Sequence, residues 1–147
     1  GDEPDINKND IIKLNNLMIS NDSEIGTLAA KIQDDKMLNN KNVVKVIVED
    51  TLEENNFPKA LNFTRENLSN NNQNTYHHIG IYLYKVTVLE KFVTLSQTNN
   101  EIKNKLEQLR ALDNRLKINV ALAKSSPIGV DTEEDYLAIK KIMKYKS

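Results

Sequence analysis

The stretch Leu106-Glu107-Gln108-Leu109-Arg110 is the most informative part of this chain. It lies within residues 101–112, where Ile102, Leu106 and Leu109 recur at helical spacing. Such spacing is typical of a helix that turns one apolar face toward a core. The sequence therefore predicts a single helix over residues 101–112, with these three side chains on its inner face.

Helices and strands are expected to alternate on either side of this segment. Apolar residues at helical spacing predict a helix over residues 10–19, with Asn7 or Asn9 as its N-cap. Residues 43–48 and 60–64 are expected to pair as strands across the polar loop that contains Pro58. Further strands are expected over residues 25–32, 78–84 and 116–123, and further helices over residues 34–38 and 86–95 and from Thr132 onward. This alternation is typical of an α/β fold.

Length and charge limit the classes of function. The chain has 147 residues, enough for one domain, and its 20 basic and 21 acidic residues give a formal net charge of −1. No basic excess indicates a nucleic-acid or anionic-membrane surface. No apolar run reaches the roughly 18 residues that a membrane span requires. Because the sequence contains no Cys, it has neither a disulfide framework nor thiolate chemistry.

Four motifs, in a fixed order, resemble one bacterial enzyme family. They are Gly1-Asp2-Glu3-Pro4, His78-Ile79-Gly80-Ile81-Tyr82, Leu106-Glu107-Gln108-Leu109-Arg110 and Gly129-Val130-Asp131-Thr132. The chain resembles the 3-deoxy-D-manno-octulosonate cytidylyltransferases, or CMP-Kdo synthetases, which couple CTP to the eight-carbon sugar acid Kdo for lipopolysaccharide biosynthesis. The resemblance covers the first four residues and most of residues 57–135. It implies an α/β, nucleotidyltransferase-like (Rossmann-like) mixed sheet with flanking helices.

Asp2 and Asp131 are the candidate metal ligands. Open α/β sheets bind ligands in the loops beyond the carboxyl ends of their strands, and Asp131 lies in such a loop before a predicted helix. Taken alone, each carboxylate is an ordinary turn or helix-terminus residue. The resemblance implies instead that both are catalytic and hold Mg²⁺, which would bridge the triphosphate and the attacking hydroxyl.

Arg65, His78, Tyr82, Glu107 and Gln108 are the candidate substrate-binding residues. A sugar acid needs one fixed cation for its carboxylate and several polar groups for its hydroxyls. His78 and Tyr82 lie four residues apart on a predicted strand, so their side chains should share one face. The resemblance implies that all five line the sugar-acid pocket, with Arg65 as the partner of the carboxylate.

The family pattern also raises expectations about what surrounds these motifs. The family's Arg- and Lys-bearing loop, which cradles the CTP phosphates, would precede Gly1. Residues 1–147 are therefore expected to be the C-terminal part of a single, N-terminally truncated cytidylyltransferase domain that is inactive alone. Asn104 stands where relatives commonly place Glu. Arg110, at the end of its motif, is expected to pair with a carboxylate.

The resemblance implies a reaction and a setting for the full-length enzyme. The 2-hydroxyl of Kdo would attack the α-phosphorus of CTP and release pyrophosphate, with Mg²⁺ as cofactor. The enzyme would be a cytoplasmic homodimer without nucleic-acid or membrane partners, and the strand pair within residues 43–64 is the candidate contact. Two alternatives stay open: a related cytidylyltransferase for a nonulosonic (sialic) acid, and a non-catalytic fragment that keeps only a dimerisation or sugar-acid-binding surface.

Overall fold

A computed structural model describes residues 7–66 and 74–124, which form a mixed five-stranded sheet with helices against it. In chain order the elements are α1 (Lys8–Asn21), β1 (Ile25–Ala30), α2 (Asp35–Asn39), β2 (Lys45–Val48), β3 (Ala60–Thr64), β4 (Thr75–Tyr84), α3 (Val86–Phe92), α4 (Asn99–Asn104), α5 (Gln108–Asp113) and β5 (Ile118–Leu122). The strand order is β3-β2-β4-β1-β5. Strands β1 and β5 are parallel, and the other neighbouring pairs are antiparallel.

Helix α1 lies close against one face of the sheet. Its N-cap is Asn7, whose side-chain oxygen accepts a hydrogen bond from the backbone N–H of Asn9 at 2.8 Å. The buried side chains Leu14 and Met18 pack on β1. A Cβ atom added at Gly26 would lie 2.5 Å from the sulfur of Met18, closer than real Cβ contacts come. Glycine therefore lets the helix approach the strand closely, and a larger residue here would displace the side chains of Met18 and Leu14.

The two faces of the sheet carry separate cores. Leu28, Ile79, Ile81 and Leu83 pack with α1 on one face. On the other face the sheet meets α3, α5 and the turn before α5 through a larger cluster that includes Ile25, Phe63, Tyr82, Tyr84, Phe92, Leu106 and Leu109. All six residues of β1 are buried, which explains why this interior strand does not alternate between apolar and charged residues.

A single helix over residues 101–112 is the one wrong prediction among the elements of the described residues. Lys105 takes a left-handed conformation with φ 56° and ends α4, and α5 begins three residues later. The N–H of Leu106 bonds back to the carbonyl of Glu101 at 3.2 Å, which is a common way to end a helix. The break leaves Ile102 56% exposed, whereas Leu106 and Leu109 are buried as expected.

Strand β4 contains a bulge opposite the middle of β1. Thr27 pairs with Tyr82, but the next residue of β1, Leu28, pairs with Ile79. Gly80 and Ile81 therefore have no opposite residue on β1. Because the insertion is two residues long, it leaves the side chains before and after it on their original faces. The prediction that His78 and Tyr82 share a face is confirmed, since both lie on the α3–α5 side.

Several predictions fall outside the described residues: the two candidate metal ligands Asp2 and Asp131, and the helix expected from Thr132 onward. The proposal that residues 1–147 form part of one domain also stays a prediction. In the part of the chain that the structure describes, no helix is long and apolar enough to cross a membrane.

Candidate active site

A line of aromatic rings crosses the α3–α5 face of the sheet. The ring centroids of Phe63 and His78 are 4.9 Å apart, those of His78 and Tyr82 5.5 Å, those of Tyr82 and Tyr84 6.1 Å, and those of Tyr84 and Phe92 5.9 Å. Four residues of extended strand would separate the Cα atoms of His78 and Tyr82 by about 13 Å. The bulge at Gly80 shortens this span and brings the two rings together.

Burial limits what His78 and Tyr82 can offer a ligand. Each residue is only 5% exposed, so a small part of each ring can be reached from outside. Nε2 of His78 lies 2.9 Å from the hydroxyl of Thr27, which is fully buried. These side chains are therefore held in fixed orientations, as a site that recognises the position of individual hydroxyl groups requires.

Lys45, Arg65 and His77 form a group of basic residues that we call the β2–β3 corner. The ammonium of Lys45, a residue with no exposed surface, donates to the carbonyl oxygens of Asn40 at 2.7 Å and Arg65 at 2.8 Å. Burial, and next the charge of Arg65, lowers the pKa of Lys45. Burial, and next the charge of Lys45, lowers the pKa of His77. Burial and the neighbouring positive charge thus both disfavour the charged form of Lys45 and of His77.

Glu101, Arg110 and Phe92 form a second group, the α4–α5 corner. Arg110 donates from Nε and Nη2 to the two carboxylate oxygens of Glu101, at 2.8 and 2.6 Å. Its guanidinium lies 5.1 Å from the centre of the Phe92 ring. Glu101 also closes a capping box with Thr98 at the start of α4. The prediction that Arg110 pairs with a carboxylate is confirmed, and the pair ties α4 to α5.

The turn between α4 and α5 carries the remaining candidate residues. Glu107 is exposed at the N-cap position of α5, and Gln108, the first residue of that helix, is half-buried. Nη2 of Arg65 donates to the carbonyl of Lys105 in this turn at 3.4 Å. Burial, and next the charge of Glu107, raises the pKa of Tyr84. Arg65 thus contacts the same turn that carries Glu107.

Contacts therefore link four of the five candidate substrate residues, and the fifth, Gln108, lies beside one of them. Arg65 contacts the turn before Glu107, the charge of Glu107 acts on Tyr84, and the aromatic line leads from Tyr84 through Tyr82 to His78. That these residues bind a sugar acid stays a prediction. Within residues 7–66 and 74–124, no group of three or more His, Asp or Glu residues is arranged to hold a metal ion.

Two residues at this site were not singled out by the sequence. Lys45 lies in a predicted strand, and a lysine between valines gives the one visible signal of a buried cation. Thr27 is the only hydroxyl residue in β1 and is otherwise an ordinary strand former. Neither signal is specific, because the partners that give these side chains their roles lie far away in the sequence.

Comparisons with known proteins confirm the predicted family. A family model described as "Cytidylyltransferase" matches residues 1–118. Curated relatives named 3-deoxy-manno-octulosonate cytidylyltransferase are 41% identical in Bartonella bacilliformis and 39% identical in Thermodesulfovibrio yellowstonii. Each of these matches covers 97% of this chain but 58% of the relative, so the chain spans little more than half the length of the curated relatives that it matches.

Solved structures lead to the same fold. The structure of a CMP:2-keto-3-deoxy-manno-octonic acid synthetase complexed with CTP matches with a TM-score of 0.74 and 25% identity, over 97% of this chain and 58% of that one. A UTP-bound UGPase from Acinetobacter baumannii matches with a TM-score of 0.55 and 9% identity, over 94% of this chain and 45% of that one, which shows a shared fold alone. The predicted nucleotidyltransferase-like mixed sheet is confirmed.

Proposed function

This chain belongs to the cytidylyltransferase family, and we propose that the full-length enzyme containing it couples CTP to Kdo, forming CMP-Kdo and pyrophosphate for lipopolysaccharide biosynthesis. The names of the curated relatives and of the CTP-bound structural neighbour support this choice of substrates. The observation that carries it is the contact of the Arg65 guanidinium with the turn that leads into Glu107 and Gln108. That contact joins a cation for the carboxylate to polar groups suited to hydroxyls.

The reaction replaces one bond to phosphorus by another. The 2-hydroxyl oxygen of Kdo forms a bond to the α-phosphorus, the bond from that phosphorus to the pyrophosphate oxygen breaks, and the hydroxyl proton is lost. We assign the carboxylate of Kdo to Arg65, and its hydroxyls to His78, Tyr82, Glu107 and Gln108. These side chains act by positioning, because a fixed geometry replaces a chance encounter of the two substrates.

Mg²⁺ is the proposed cofactor, held by Asp2 and Asp131. Two carboxylates are hard oxygen donors of the kind that this ion prefers, and the described residues contain no competing cluster. When bound, the ion would neutralise phosphate charge and make the attacking hydroxyl more acidic. In the full-length enzyme, Asp131→Ala should abolish pyrophosphate release even at saturating Mg²⁺, whereas Asp35→Ala, which changes an exposed carboxylate on α2, should not.

The anchor role of Arg65 is tested by binding. Arg65→Ala should weaken the affinity for Kdo about 10- to 100-fold, the range expected for losing a hydrogen bond to a charged group. Lys91→Ala, which removes an exposed cation from α3, is the matched control. Calorimetric titration of the full-length proteins measures both. Equal affinity of Arg65→Ala and the wild type would exclude Arg65 as the partner of the carboxylate.

Substrate choice separates the remaining alternatives. Release of pyrophosphate with a sialic acid but not with Kdo would assign the enzyme to the nonulosonic branch.

We also propose a cytoplasmic homodimer. Strand β3, at one end of the described sheet, with Leu61 60% exposed, supports a contact there. Because the chain spans only 58% of its relatives, we expect residues 1–147 alone to release no pyrophosphate.

A further inference from the structure

The hydroxyl of Thr27 lies inside the bulge of β4 and has three neighbours. Its oxygen is 2.7 Å from the carbonyl oxygen of Ile81, 3.2 Å from that of Ile79 and 2.9 Å from Nε2 of His78. Thr27 has no exposed surface, and His78 is 5% exposed. Water therefore does not compete for these contacts, and the protein groups must satisfy one another.

A count of protons decides the direction of each hydrogen bond. Carbonyl oxygens only accept, and a hydroxyl has one proton to donate. The proton of Thr27 must point at the carbonyls, with Ile81 the nearer. If it pointed at His78 instead, two carbonyl oxygens would face the lone pairs of the hydroxyl without any proton between them. Nε2 of His78 is therefore the donor, and the hydroxyl of Thr27 accepts from it.

We propose that Thr27 is a positioning residue that holds neutral His78 in the form with its proton on Nε2. The other ring nitrogen, Nδ1, is then the acceptor, suited to a hydroxyl hydrogen of a polyhydroxylated substrate. This last step rests on the proposed function, whereas the assignment of the proton rests on the geometry alone. The bulge makes the arrangement possible, because it brings Ile79, Ile81 and the ring of His78 around one side chain.

Thr27 has a purely structural alternative, in which its hydroxyl only satisfies the carbonyls of the bulge. The two roles differ in what Thr27→Val and Thr27→Ser would change. A structural role affects stability but leaves substrate selectivity untouched. A positioning role changes the proton position on His78 and the use of Kdo together, and serine should rescue both because it keeps the hydroxyl.

Nitrogen NMR tests the proton assignment without any substrate. In a full-length ¹⁵N-labelled enzyme at a pH where His78 is neutral, long-range proton–nitrogen correlations distinguish a protonated Nε2 from a protonated Nδ1. A His77→Gln variant identifies the signals of His78. The wild type and Thr27→Ser should show the proton on Nε2. A proton on Nδ1 in the wild type would overturn the proposal, and this readout holds even if Thr27→Val does not fold.

Steady-state kinetics test the consequence. Thr27→Val should raise the KM for Kdo about tenfold, the effect of one lost hydrogen bond, with the KM for CTP unchanged. Thr27→Ser should stay within about twofold of the wild type in both constants. An unchanged KM for Kdo in a folded Thr27→Val enzyme would show that Thr27 is structural only. If no variant, including the wild type, uses Kdo, the proposed function fails while the NMR result still decides the proton assignment.

Discussion

The two charged corners of this molecule differ in how they accommodate a positively charged side chain away from water. In the α4–α5 corner, the partly buried guanidinium of Arg110 meets the buried carboxylate of Glu101 through two short hydrogen bonds. In the β2–β3 corner, the buried ammonium of Lys45 meets two backbone carbonyls, and the described residues bring no carboxylate into an ion pair with it. Within the described residues, an ion pair neutralises the charge of Arg110, whereas none neutralises the charge of Lys45.

The pKa directions express this difference. The hydrogen bonds from Arg110 lower the pKa of Glu101 despite the opposing effect of burial, and the same bonds raise the pKa of Arg110. Both charged forms are thus favoured. For Lys45, burial and the charge of Arg65 act together to lower the pKa. A neutralised pair is suited to holding helices in place. A buried cation that has no ion-pair partner among the described residues adds instead to the positive potential around Arg65.

The largest expected effect on stability comes from removing one partner of the ion pair in the α4–α5 corner. Glu101→Ala should lower the free energy of unfolding by about 3 kcal/mol, the lower end of the range for a buried pair, because it leaves the partly buried guanidinium of Arg110 without its carboxylate. Glu101→Leu combined with Arg110→Met should recover most of this loss, since neither charge remains. Urea denaturation of the full-length proteins measures both. A Glu101→Ala variant as stable as the wild type would contradict the structural role of the pair.

The second expected effect concerns the β2–β3 corner, where a substitution should change both the stability and the affinity for Kdo. Lys45→Met removes a buried cation but also two donors to carbonyls, so unfolding should become easier by only about 1–3 kcal/mol. The affinity for Kdo should fall about tenfold, because the Arg65 end of β3 loses its support and its neighbouring charge. Lys124→Met, at an exposed position, is the control. Unchanged affinity for Kdo would show that both corners are merely structural.

The smallest effect is a difference in pH dependence. The folded-state pKa of Lys45 is below its ordinary value of 10.5, so between these two values the unfolded chain binds more protons. The stability of the wild type relative to Lys45→Met should therefore increase as the pH rises toward 10.5. The pKa of Glu101 is below 4.5, so its contribution should be lost only as the pH falls through that lower value. Denaturation at a series of pH values measures both trends. If the free energies of unfolding of the wild type and of each variant depended on pH in the same way, the proposed difference between the corners would be wrong.

The sequence predicts most elements of this fold because each strand and helix has a local pattern. It also predicts that His78 and Tyr82 share a face, since the period of a strand depends on spacing alone. It misses the break at Lys105, because the apolar spacing of Leu106 and Leu109 continues the pattern of α4 and a lysine gives no sign of a left-handed conformation.

The parts of the site that the sequence misses depend on distant partners. In the sequence, Lys45 is simply a cation in an apolar strand. Its role depends on the carbonyl oxygens of Asn40 and Arg65, which accept its hydrogen bonds only in the folded structure. Thr27 is an ordinary strand residue until the bulge of β4, more than fifty positions away, places three polar atoms around its hydroxyl. No local pattern indicates either of these arrangements, because the contacts form only when the sheet assembles.

The bulge at Gly80 and Ile81 also restricts how this protein can change in length during evolution. A deletion of both residues would restore regular pairing and keep every side chain of β4 on its face, although the rings of His78 and Tyr82 would no longer share their present spacing. A deletion of one residue would turn every side chain before it to the opposite face, exchanging the two cores. We therefore expect insertions and deletions at this point to be tolerated in pairs of residues, because only an even number leaves both cores and the site residues on their faces.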